Sequence, residues 1–273
     1  MLPRGVIRRV VRRPAGAIGL GLTALFALTA AFAPRLAPFD PFSVDGPSLG
    51  RPSGRYPMGT DALGRDILSG IIHGARTAIL VTGLVAVMVL VLGVLVGTTA
   101  GWLGGRIDDV LMRLTELFQV LPRFFLAIVV VALFGPGLNR LILVLGLTSW
   151  VLLARVVRAE VLSLREREFV EAASASGASG FRIVVREILP NALPVAVAYL
   201  GLVLAQVLLI ESSLGFLGLG DPNVISWGAM ASNAGQFARV AWWLPVFPGM
   251  AVVLAVLGLN LLADAVTDVL SGR

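Results

Sequence analysis

Side chains able to do chemistry are few in this sequence and widely spaced. Charged residues make up 14% of the 273 positions: sixteen are aspartate or glutamate, and all 22 basic residues are arginine. There is one histidine and no cysteine. Without cysteine there is neither a disulfide framework nor a thiolate metal site. Without lysine there is no phosphate-binding P-loop, whose lysine reaches the terminal phosphates, so any ATP hydrolysis coupled to this chain belongs to another subunit. His73 has no second soft ligand near it and reads as a packing or surface group, so no metal site is expected. No nucleophile and base fall together. Asp61, Arg65 and Asp66 read as a salt-bridged turn that caps a following helix. Gln206 lies inside an apolar run and Glu211 at its end; both are weak candidates for substrate contact. Glu211 reads equally as a cap at a helix junction or as the partner of an arginine.

The elements that must position these groups are set by hydropathy. Hydrophobic residues make up 57% of the chain, which predicts an all-α, multi-span membrane protein and excludes a soluble domain. Six spans are predicted: Ala15 to Ala33, about Ala78 to Ala100, Arg123 to about Phe134, Leu138 to Val157, Ala192 to Leu209, and Leu244 to Ala263. Ala31-Phe32-Ala33 also has the form of a signal-peptidase site, the rival reading of the first run. Gly93, Gly97 and Gly101 recur every four residues, a small-residue seam for close helix packing. Gly135-Pro136-Gly137 predicts a tight turn, and Trp227, Trp242 and Trp243 an interfacial belt. With both termini cytoplasmic, fifteen of the 22 arginines fall inside, the sign the positive-inside rule requires. The net charge of +6 invites a nucleic-acid reading, but the arginines lie scattered between apolar runs, so no nucleic acid is expected.

The most polar long segment runs over 163–190. Ser163 and Glu166 have capping-box spacing, predicting a helix from Leu164 to Gly177. A second short helix, capped by Ser179, carries Phe181, Val184, Val185 and Ile188 as one stripe and ends at Pro190. Every residue from Ala172 to Gly180 is small, so another protein's backbone can approach this elbow closely.

Glu171-Ala172-Ala173, Gly177 and Leu189-Pro190 resemble the cytoplasmic Glu-Ala-Ala loop of ABC importer permeases, which seats in a groove of the ATPase subunit. Glu187 stands where that pattern has an isoleucine, and Ile188 comes one position late. Gly59-Thr60-Asp61 and Gly64-Arg65-Asp66 resemble the segment leading into the second span of the peptide and nickel branch. The resemblance covers roughly Tyr56 to Asp268, more loosely before that.

It implies a type I ABC importer permease fold with six transmembrane helices. The divisions are residues 1–34 (cytoplasmic N-terminus and first span), 35–76 (an extracytoplasmic proline-rich loop), 77–268 (the permease core, with coupling loop 163–190) and 269–273 (a tail). It also implies a bacterial or archaeal cytoplasmic membrane, a homologous second permease, two ATPase subunits holding ATP and magnesium, and an extracytoplasmic substrate-binding protein. The coupling residues it implies are Phe169, Glu171, Ala172, Ala173, Gly177, Phe181, Ile188, Leu189 and Pro190. Di- and oligopeptides are the expected cargo, with nickel or a metal chelate as the alternative. A secondary transporter or channel is the rival class, but no internal repeat accompanies it and the charges sit near span ends. A membrane scaffold without transport gives no reason for the elbow.

Overall fold

Asp66 starts the longest helix of the molecule, and the rest of the bundle is arranged along it. The computed structural model describes residues 6–270. In chain order it has α1 (Val6–Arg12), α2 (Pro14–Ala31), α3 (Ala33–Leu36), α4 (Ile67–Leu103), α5 (Gly105–Val120), α6 (Arg123–Phe134) and α7 (Leu138–Arg165). Then follow α8 (Glu168–Ala175), α9 (Gly180–Ile183), a π-helical turn (Val184–Ile188), α10 (Leu189–Phe216), α11 (Trp227–Ala234) and α12 (Trp243–Leu270). Among the described residues there is no β-strand, only an isolated bridge between Thr60 and Asp66.

Among the described residues five helical segments are long and apolar enough to cross a membrane, and the count reaches six if the bent pair α5–α6 is one span. That pair corrects the predicted third span. At about 1.5 Å per residue α6 is about 18 Å long, short of a hydrocarbon core of about 30 Å. Only with α5, from which it turns by 72° at Leu121-Pro122, does it make up a crossing. The second span is longer than expected: α4 begins at Ile67 rather than Ala78, which removes the last residues from the predicted loop. Its 37 residues reach about 55 Å. It therefore projects beyond the membrane core.

The seam of small residues packs as its spacing requires. A Cβ on Gly93 would lie 2.8 Å from the Leu153 side chain, and on Gly97 2.4 Å from the Ala154 carbonyl oxygen. On Gly101 it would lie 2.9 Å from the carbonyl oxygen of Arg158. The backbones of α4 and α7 thus run in contact along three turns. The main core lies between α4, α7 and α10, around Val85, Leu145, Leu153, Val157 and Val203. Helix α2 is packed against α12, where a Cβ on Gly19 would meet the Leu262 nitrogen at 2.5 Å. Arg13 bonds Asp268 at 2.8 Å beside it.

The three tryptophans of the expected belt differ in burial. Trp242 is exposed, but Trp227 and Trp243 are buried, because each has found an acceptor. Trp227 Nε1 donates to the Ile71 carbonyl at 3.0 Å and Trp243 Nε1 to the Thr60 carbonyl at 3.3 Å. An indole so buried keeps its N–H paired inside the protein.

Candidate functional site

The elbow is built differently in detail from the sequence prediction. Ser163 caps nothing: it lies within α7, which continues to Arg165, and Glu166 forms the C-terminal end of that helix. After a break at Glu166-Arg167 the short α8 begins, with Glu168 and Glu171 in its first turn, where carboxylates suit the helix dipole. It ends in a Schellman motif. Gly177, at φ +79°, sends its N–H to the Ser174 carbonyl at 2.9 Å, and the Ala178 N–H reaches the Ala173 carbonyl at 3.1 Å.

Pro190 does not end the second helix. Proline lacks an N–H and would collide with the carbonyl four residues back. The chain avoids this with a π-helical turn, in which the Leu189 N–H bonds to the Val184 carbonyl five residues earlier. Gly180 to Phe216 is therefore one continuous helical segment running out of the elbow into the bundle. The wide turn also changes the buried face. Ile183 and Ile188, five residues apart, share it and are 3% and 0% exposed, whereas Phe181 is 80% exposed and Val185 also points outward. The expected stripe keeps only Ile188 fully buried.

Val170, Ile183 and Ile188 anchor the elbow in the core that α4, α7 and α10 share, with Ala173, Ala178 and Trp102 packed alongside. Arg165 donates to the carbonyls of Gly101 and Trp102 at 3.4 and 3.3 Å. Arg158 grips Asp108 with two bonds of 2.5 Å, tying the start of α5 to α7. The opposite surface is free for a partner: Phe169, Glu171, Ala172, Gly177, Phe181 and Pro190 are exposed, with Leu189 half-buried. A Cβ on Gly177 would meet nothing within 4 Å. The structure thus brings the predicted coupling residues together, Ala173 and Ile188 as anchors and most of the others as an exposed face.

The second predicted cluster lies at the other end of α4. Gly59 and Gly64 take φ of +77° and +87°, and a Cβ on Gly64 would lie 2.3 Å from the Gly46 carbonyl oxygen, so glycine is needed for the loop to fold on itself. Thr60 Oγ1 donates to the Pro47 carbonyl and accepts from the Gly50 N–H. Asp61 Oδ1 accepts from the N–H groups of Leu63 and Arg65, both at 2.8 Å. Asp66 Oδ2 caps α4 through the Ser69 N–H at 2.8 Å and the Ser69 hydroxyl at 2.6 Å. The capping expected of this turn is present, but its salt bridges are not. Among the described residues the ion pairs are Arg13–Asp268, Arg155–Glu116 and Arg158–Asp108, none of them here.

Gln206 is exposed on α10. Glu211 is buried near the end of α10 and accepts from the Ser212 hydroxyl at 3.3 Å. There α10 meets α11 so closely that a Cβ on Gly228 would sit 2.1 Å from the Ser212 carbonyl oxygen, which places Glu211 at a helix junction. Asp221, in the loop 217–226 after α10, was legible only as part of an outer loop: its carboxylate accepts from the Asn223 N–H at 2.9 Å and the Leu138 N–H at 3.1 Å, joining that loop to α7. Those bonds, that of Asn223 foremost, hold its carboxyl below the ordinary range. His73 is half-buried on α4, and no group of three metal-ligating side chains occurs among the described residues.

A bundle of long apolar helices with an exposed two-helix elbow at one end is the architecture of a multi-span membrane protein. Residues 93–273 match the family described as binding-protein-dependent transport system inner membrane component, and residues 3–49 the N-terminal TM domain of oligopeptide transport permease C. The chain belongs to this family of ABC transporter permeases. It is 37% identical to the di/tripeptide transport system permease protein DppC of Pseudomonas aeruginosa, over 93% of this chain and 87% of that protein. It is also 37% identical to the oligopeptide transport system permease protein OppC of Escherichia coli, over 97% and 89%. The dipeptide transport system permease protein DppC of Alkalihalophilus pseudofirmus is 35% identical over 99% and 90%. The likeness therefore extends through the first span, beyond the stretch that carried the sequence resemblance.

Proposed function

We propose that this chain is the permease subunit of an ATP-driven, binding-protein-dependent importer that carries di- and oligopeptides across a bacterial cytoplasmic membrane. The observation that carries the reading is the elbow: an exposed apolar and acidic tip whose other side is anchored to three long helices at once. In this reading both termini and the elbow face the cytoplasm. A homologous permease completes the pathway, two ATPase subunits hold ATP and magnesium, and a binding protein delivers peptide to the opposite end.

ATP-driven closure of the ATPases moves the elbow as a plug. The helices attached to it swing between two arrangements that open the path to either side, the two-state element that coupling requires. The names of the relatives support peptides as cargo. The packing of α2 along α12 supports a first span that stays in the bundle.

Gly177→Trp tests the docking step. The added Cβ meets nothing within 4 Å, and the left-handed backbone at φ +79° costs a non-glycine residue about 1–2 kcal/mol confined to the elbow, so the bundle should still insert and assemble while the projecting indole keeps the elbow from its groove. The expected result is normal membrane insertion with loss of peptide-stimulated ATP hydrolysis in the reconstituted complex. Normal coupled hydrolysis would refute the assignment.

A further inference from the structure

The bend between α5 and α6 places a charge inside the membrane. Arg123 opens α6 at the 72° corner, so it lies within the crossing that the two helices make as one span rather than at its edge. Its guanidinium makes no hydrogen bond or ion pair among the described residues, and none of its nitrogens is shut off from the surface. No carboxylate of the described chain acts on it; the ionisable group close enough to do so is the Tyr199 phenol of α10. Tyr199 stands ten residues from the start of α10, about 15 Å along it, and its hydroxyl is equally unpaired and open. An arginine within a span and without a counter-charge is costly against hydrocarbon, and such residues mark water-filled routes.

The outward side of α10 continues the route. Tyr199, Gln206 and Ser213 recur every seven residues, two turns, and so share one face; the first is half-buried and the other two are exposed. Beyond Gln206 this face, with Leu209 and Phe216 on it, walls a groove of about 360 Å³ that Phe124, the neighbour of Arg123, also lines. The outward face of α4 is different: Leu84, Val87, Val91 and Leu95 are exposed and wholly apolar, as lipid contact requires. We propose that the shared face of α6 and α10 is a wall of the cargo route, and that Arg123, with Tyr199 beside it, favours cargo bearing an extra carboxylate over cargo bearing an extra cation. A guanidinium and a phenol both donate to a carboxylate, and a fixed positive charge in a narrow route concentrates anions and repels cations. That there is cargo rests on the function proposed above; the open, cationic wall rests on these residues alone.

The absence of cysteine makes the wall directly testable. In the assembled complex with cysteine-free partners, Gln206→Cys is treated with two membrane-impermeant thiosulfonates, one anionic and one cationic, and Leu84→Cys is the lipid-facing control. Residue 206 is expected to react and residue 84 is not. With each rate divided by that of a free thiol, the anionic reagent should be favoured at residue 206. Arg123→Gln should lower that preference at least threefold and Arg123→Lys should keep it. In proteoliposomes that also contain the binding protein, uptake of saturating alanylglutamate relative to alanyl-lysine should fall at least fivefold in Arg123→Gln and hold in Arg123→Lys. Should the variants at residue 123 not assemble, the reagent preference at residue 206 beside the intact arginine decides alone.

An unreactive residue 206, or one that reacts without preference for the anionic reagent, overturns the wall; the second result is the one expected if a carboxylate of the second permease neutralises Arg123. An uptake ratio that Arg123→Gln leaves unchanged overturns the selection. The importer reading fails separately. Peptide uptake with an unreactive residue 206 refutes the wall alone, and a reactive, anion-favouring residue 206 without uptake of any peptide refutes the importer reading and leaves the wall.

Discussion

Phe181→Ala and Ile183→Ala lie two residues apart on the elbow and should fail in different assays. Phe181 is 80% exposed and Ile183 3% exposed. Truncating an exposed ring that touches little of its own chain changes stability by no more than about 0.5 kcal/mol. If that ring seats in the ATPase groove, burying it contributes about 1.5–3 kcal/mol to association. Removing it then weakens ATPase binding roughly 10- to 100-fold, since each 1.4 kcal/mol is about tenfold. Ile183→Ala instead opens a cavity where the elbow joins the core around Val170, Ile188 and Ala192. Its cost of about 2–5 kcal/mol falls on the chain's own fold.

Two measurements separate them: the affinity of the purified ATPase pair for the permease in nanodiscs, and thermal unfolding of the permease alone. Phe181→Ala should lose affinity with its unfolding transition unmoved. Ile183→Ala should unfold earlier. ATPase affinity of Phe181→Ala within twofold of the unsubstituted protein would refute the docking face, because no other group on the exposed side offers comparable apolar area.

Gly97→Ala should destabilise the bundle by about 1–3 kcal/mol, the cost of overpacking, since its methyl has no room against the Ala154 carbonyl. Gly83→Ala on the same helix, where a Cβ meets nothing within 4 Å, should be neutral or stabilising in the same unfolding assay. Asp108→Asn, which breaks the two-bond grip of Arg158, should cost about 1.5–3 kcal/mol. Glu116→Gln should cost under about 1 kcal/mol, because its pairing with Arg155 at 3.9 Å is open to solvent. Asp221 has a carboxyl held below its ordinary value of 3.8, so its contribution is present above that pH and lost as pH falls through the lower folded value. Asp221→Asn should reduce the acid sensitivity of thermal unfolding below about pH 4, and an unchanged acid limb would refute the role of its bonds to Asn223 and Leu138.

What the sequence disclosed follows the range of the forces involved. The glycine seam was legible because a four-residue repeat puts Gly93, Gly97 and Gly101 on one face whatever the partner helix is. The turns at Gly59, Gly64 and Gly177 were legible as loops, since a local backbone requirement selects glycine. The end of the second elbow helix was not. Local rules stop a helix at Pro190, and only the packing of Ile183 and Ile188 into one distant core makes a π-helical turn the better solution. The burial of Trp227 and Trp243 was not legible for the same reason: their acceptors, the carbonyls of Ile71 and Thr60, are 156 and 183 residues away in the chain. The missing ion pair at Arg65 and Asp66 was likewise invisible, because opposite charges next to each other in sequence suggest a bridge that the folded backbone does not form.

The packing also limits how the proposed importer can move. Sliding of α4 past α7 would drive Gly97 and Gly101 into the carbonyls they already touch, and interfaces packed this closely do not deform continuously. These two helices must travel as one body, and Arg165 and Trp102 fasten the elbow to it. Flexure is left to the 72° corner at Leu121-Pro122, because the Arg158–Asp108 pair holds the start of α5 to α7. Because α4 runs unbroken from Asp66, which caps its start, to Trp102 at the elbow, a tilt imposed at one end reaches the other without any intervening hinge. A displacement imposed at the elbow is then felt at the opposite end of the bundle as one rigid-body movement.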